Sequence, residues 1–62
     1  MWRLTLYPLG AKTQTVDWDD QPSWYPPIPT NLCLRLLGRQ GGKQLIIWIF
    51  PEQYSRFELR EL

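Results

Sequence analysis

The chain reads as a β-rich α+β module: a small four-stranded antiparallel sheet in meander order, closed by one C-terminal helix. Three observations carry that expectation. Residues 2–7 alternate, with Trp2, Leu4 and Leu6 on one side and Arg3, Thr5 and Tyr7 on the other, which is the period of a half-buried strand. Residues 32–50 form two apolar runs separated by Gly41-Gly42, a hairpin signature because glycine reaches positive φ without steric cost. After that hairpin, Pro51-Glu52 resembles a helix start.

The elements follow in order. The strand over residues 2–7 stops at Pro8-Leu9-Gly10-Ala11, a turn. Residues 13–18 form a second strand, supported by β-branched Thr13, Thr15 and Val16, with Gln14, Val16 and Trp18 on one face. Residues 21–30 hold Pro22, Pro26, Pro27 and Pro29. Proline lacks an amide donor and fixes φ, so this stretch is expected as an extended crossover rather than a helix or central strand. A third strand covers residues 31–38, with Leu32, Leu34 and Leu36 opposite Cys33, Arg35 and Leu37. The turn over residues 39–42 returns the chain into a fourth strand, residues 43–50.

That last strand is apolar on both faces. Leu45, Ile47 and Ile49 lie on one side and Ile46, Trp48 and Phe50 on the other. A strand of this kind is usually covered twice, so it needs the N-terminal strands on one side and a helix, or a partner, on the other. For residues 51–62, proline in a first turn sacrifices no hydrogen bond and Glu52 suits the positive end of the dipole. Tyr54, Phe57 and Leu62 then share a helical face, with Leu59 off it. The rival for this stretch is a final strand, since Phe57-Glu58-Leu59-Arg60 also alternates.

Composition bounds function. With 62 residues, a chain buries only about 60% of the surface its unfolded form exposes and forms a single domain. Cys33 is the only cysteine and there is no histidine, so an internal disulfide, a zinc site, a cysteine–histidine pair and a serine triad lack their residues. Stability must then come from aromatic packing or from a partner. Four tryptophans, three tyrosines and two phenylalanines serve either; Trp2, Trp18 and Trp48 are expected in the core. The net charge of +1 supplies no basic stripe for phosphates. Neither a signal peptide nor a run of about 20 apolar residues is visible, and a lone thiol fits a reducing compartment. The expectation is a cytoplasmic, non-catalytic chain without cofactor or metal.

Remaining clusters reduce to ordinary chemistry. Asp17, Asp19 and Asp20 lack the alternate spacing and closing glutamate of a calcium loop and read as a polar turn. Gly38, Gly41 and Gly42 do not match a phosphate loop. Cys33 reads as a small packing residue. The candidate interaction surface is Trp24, Tyr25, Pro26 and Pro27, because tryptophan and tyrosine beside prolines favour protein contacts. The partner is expected to be another protein, with a homo-oligomer allowed. The alternative is a small barrel-type binder of single-stranded nucleic acid, stacking bases on these rings.

The order Leu32-Cys33-Leu34-Arg35-Leu36, Gly41-Gly42-Lys43, residues 45–49, Pro51-Glu52-Gln53-Tyr54-Ser55 and Phe57-Glu58-Leu59-Arg60-Glu61-Leu62 resembles the C-terminal cytosolic portion of the bacterial YgfX (CptA-like) inner-membrane proteins. The likeness covers about half the chain. It departs at Glu52, where the family has aspartate, in a C-terminal stretch poorer in arginine, and in lacking the family's two transmembrane helices. It implies a C-terminal helix packed through Phe57, Leu59 and Leu62. It also implies a toxin-like regulator at the inner face of the bacterial inner membrane, reached through a segment absent here, paired with a small flavinylation-factor antitoxin and linked to cytoskeletal proteins.

Overall fold

The computed structural model describes residues 1–25 and 33–62. Within them the chain forms six strands: β1 (Trp2–Pro8), β2 (Gln14–Trp18), β3 (Ser23–Trp24), β4 (Leu34–Gln40), β5 (Lys43–Ile49) and β6 (Tyr54–Glu61). They make two antiparallel three-stranded sheets, ordered β2-β1-β6 and β3-β4-β5. Residues 26–32, which include Pro26, Pro27 and the start of the expected third strand, lie outside the described residues.

The β-rich expectation holds, but the single four-stranded meander and the C-terminal helix are corrected. A lone sheet buries one face at most without a second layer. Here the second layer is another sheet, because β1 takes β6 as its second neighbour and the chain crosses to the other sheet after Trp18. Of the expected helix over residues 51–62, only a 3-10 turn, Pro51–Gln53, is helical. From Tyr54 the chain is extended and pairs with β1 from Leu6↔Phe57 to Trp2↔Glu61. The strand turns both Phe57 and Leu59 to the core and Arg56, Glu58 and Arg60 to solvent, which no helical face achieves. It also satisfies the second backbone edge of β1. A register shift between Tyr7 and Pro8 accommodates the proline, which has no amide to donate.

The expected hairpin is present. Gly41 and Gly42 have φ of 59° and 80°, the two positive values that a two-residue hairpin turn requires. Asp19, just past the end of β2, holds this turn, its carboxylate accepting from the N–H groups of Gly41 and Gly42 at 3.3 Å each. Beside it the Asp19 N–H donates to the Arg39 carbonyl at 2.7 Å, tying the end of β2 to β4. The aspartates are therefore divided: Asp19 is a clasp, whereas Asp17 lies on β2.

One core lies between the sheets. Leu4, Leu6 and Trp18 come from one sheet, Leu36 and Ile49 from the other, and all are buried. Trp24 adds an edge-to-face contact with Phe57, ring centres 6.4 Å apart. Of the tryptophans expected inside, Trp18 is fully buried and Trp2 half-buried, but Trp48 is 54% exposed. The reason is the missing helix: nothing among the described residues covers the outer side of β5.

Candidate functional site: the outer face of the second sheet

The two sheets differ on the sides that face away from the core. On the first, polar groups pair. Arg3 and Asp17 are direct cross-strand partners, and Arg3 donates Nε–H to Asp17 Oδ1 at 2.8 Å and Nη2–H to Oδ2 at 3.0 Å. This fork-to-fork geometry is the strong form of an ion pair. It holds the Asp17 carboxyl below its usual range, chiefly through the hydrogen bond, with burial opposing. The Arg56 guanidinium stacks over Tyr7 at 4.3 Å and reaches Glu58 at 3.4 Å.

The second sheet presents the opposite chemistry. Period-two alternation sends Leu34, Leu36, Leu45, Ile47 and Ile49 inward, so Arg35, Leu37, Ile46 and Trp48 must face outward. Arg35 and Trp48 are direct partners, as are Leu37 and Ile46. Tyr25 extends the row by donating its N–H to the Arg35 carbonyl at 2.8 Å. The result is a line of Tyr25, Arg35 and Trp48, with the guanidinium carbon 4.9 Å from the Tyr25 ring centre and 5.0 Å from that of Trp48. Tyr25, Ile46, Trp48 and Phe50 are all exposed. A solvated sheet face is ordinarily polar, and contiguous exposed apolar groups mark contact sites.

The charge distribution follows the same division. Between Asp20 and Glu52 the chain has Arg35, Arg39 and Lys43 and no aspartate or glutamate. Asp19 approaches only the hairpin tip, where the turn amides engage it. Among the described residues there is no cluster of three or more histidine, cysteine, aspartate or glutamate side chains suited to a metal. Cys33 is half-buried, its sulfur 3.7 Å from the Leu34 carbonyl.

The residues singled out in the sequence separate. Tyr25 is on the exposed face, Trp24 is half-buried and packs on the core, and Pro26 and Pro27 lie outside the described residues. Ile46, Trp48, Phe50 and Arg35 complete the face and were not singled out. The signal for them was present in the two-sided apolar strand. For the likeness to the inner-membrane proteins, Phe57 and Leu59 pack on the core, but from a strand, and Leu62 is exposed. Among the described residues, no helix is long and apolar enough to cross a membrane.

Comparison with protein-family models, with curated proteins and with solved structures finds no significant match.

Proposed function

We infer that the chain is a non-catalytic protein-interaction module that binds through the outer face of β3-β4-β5. The observation that carries this reading is the exposed row of Tyr25, Arg35 and Trp48, flanked by Ile46 and Phe50. Tryptophan, tyrosine and arginine are the residue types that dominate binding energy at protein interfaces. Arg35 is already held between two rings, so little side-chain entropy is lost when a partner docks. The narrower reading, the soluble part of a membrane-associated toxin-like regulator, is supported only by the likeness of residues 32–62 to the inner-membrane family.

The test compares proteins retained from a lysate by the immobilised chain and by its Trp48→Ala variant. Loss of a retained protein with Trp48→Ala, with the fold unchanged by circular dichroism, supports the reading; identical retention refutes it. A single-stranded oligonucleotide is tested in parallel at low salt. Binding that Trp48→Ala abolishes and added salt weakens would replace the protein-contact reading with nucleic-acid binding.

A further inference from the structure

Among the described residues, the two sheets have four edge strands, and three of them are protected against further pairing. β3 is two residues long and follows Pro22. β2 is five residues long and carries the paired Asp17. β6 carries Arg56, Glu58, Arg60 and Glu61. Short edges, charges and prolines are the usual means of blocking strand addition. β5 has none of them: it runs for seven residues, without proline or register shift, and its one charge is Lys43 at its first position.

The backbone of this edge points outward at defined residues. The turn closes on the pair Gln40↔Lys43, and the register continues through Gly38↔Leu45, Leu36↔Ile47 and Leu34↔Ile49. Those pairs exchange hydrogen bonds within the hairpin. The alternate residues Gln44, Ile46 and Trp48 therefore turn both N–H and C=O away from β4. Ile46 and Trp48 are also the residues whose side chains form the exposed face.

We propose that β5 is a docking edge that receives an extended, acidic and apolar segment of a partner protein as a fourth strand of this sheet. The statement rests on the protein-contact reading above and adds its mode and the partner's chemistry. The partner strand pairs with the outward groups of Gln44, Ile46 and Trp48. Its apolar side chains extend the Ile46–Trp48 face, a carboxylate beside Gln44 on that face lies within reach of Arg39, and one beside Lys43 meets that cation on the opposite face. Charge selects this occupant over a second copy, since self-pairing would place three further cations and no carboxylate on the same continuous sheet. The backbone ladder left unpaired among the described residues selects a peptide over a nucleic acid, which has no strand to add.

The experiment is an amide-shift titration of the full chain, labelled with nitrogen-15, with the capped heptapeptide Thr-Val-Thr-Val-Thr-Glu-Glu and its counterpart ending in two lysines. The expected result is saturable shifts and slowed hydrogen exchange at Gln44, Ile46 and Trp48. The glutamate peptide should bind about tenfold more tightly, the equivalent of a few surface ion pairs. Ile46→Pro, which removes an outward amide and leaves the ladder to β4 intact, should abolish these changes. If that variant fails to fold, the chain made by total synthesis with N-methylated Ile46 replaces it.

Absence of shifts at the three amides overturns the proposal, as does equal binding of both peptides. Shifts confined to the Trp48 and Tyr25 rings, insensitive to Ile46→Pro, sink the edge mode and leave the contact face standing. Protection of the same amides that rises with protein concentration alone makes a second copy the occupant. Displacement of the peptide by an oligothymidylate makes it a nucleic acid.

Discussion

Gly38 lies on β4 directly over Trp18, and a Cβ added there would stand 2.4 Å from Trp18 Cδ1 and 2.9 Å from both Cγ and Nε1. Restoring a carbon–carbon contact of about 3.5 Å requires the indole to move about 1 Å. Trp18 cannot give way freely. It is fully buried, and its Nε1–H donates to the Leu45 carbonyl at 3.1 Å. Gly38→Ala should therefore overpack the core, at about 1–3 kcal/mol, and weaken a hydrogen bond worth about 1 kcal/mol. Against this stands a gain of about 0.4–1 kcal/mol from the stiffer unfolded chain. The net expectation is a loss of about 1–3 kcal/mol. Urea unfolding followed by circular dichroism measures it directly, and in a thermal melt each kcal/mol lowers the midpoint by about 4–8 °C for a domain of this size. A cycle with Trp18→Phe isolates the cause: the smaller ring makes room, so the alanine should cost less in that background. An unchanged or raised midpoint for Gly38→Ala, or strict additivity with Trp18→Phe, would refute the steric argument.

Trp48→Ala should lower stability by about 1 kcal/mol or less, since it removes exposed surface and one contact with Arg35; a loss comparable to a core deletion would place that ring in the fold's interior. Trp24→Ala should cost more, about 2–3 kcal/mol, because the half-buried ring packs on Phe57 and the core; a denaturation midpoint equal to the parent's would return Trp24 to the surface. The Asp17 carboxyl, lowered by its bond to Arg3, contributes stability that is complete above the unfolded value of about 3.9 and is lost as pH falls through the lower folded value. Arg3→Ala should therefore raise the Asp17 midpoint in a carbon-13 titration and flatten the acid limb of the stability curve. A steep limb retained in the variant would assign that limb to other carboxyls.

The hairpin was legible because its determinant is local: two consecutive glycines between apolar runs allow few other conformations. The alternation of residues 2–7 likewise names its own strand. The C-terminal stretch was not legible in the same way. Pro51-Glu52 and the spacing of Tyr54 and Phe57 support a helix locally, and the winning term is the long-range pairing with β1, which no window of the sequence contains. The face was half legible. Tyr25 was identifiable as an exposed aromatic beside prolines. Trp48 was assigned to the core by the premise that a two-sided apolar strand is covered twice. Among the described residues nothing covers Ile46, Trp48 and Phe50. The long interval without a carboxylate from Gln21 to Pro51 was visible in the sequence, and it gains meaning only once Arg35, Arg39 and Lys43 share one sheet.

β1, the earliest of the described strands in chain order, occupies the middle of its sheet. β1 is flanked by β2, which follows it closely, and by β6, whose last paired residue is Glu61. Beyond that pair the Leu62 N–H donates to the Met1 carbonyl at 2.9 Å. Before β6 pairs, β1 and β2 alone make a two-stranded ribbon, which is marginal in water. Assembly of this sheet therefore waits on the most sequence-distant strand pairing among the described residues, the kind of contact that makes all-β chains slow to fold.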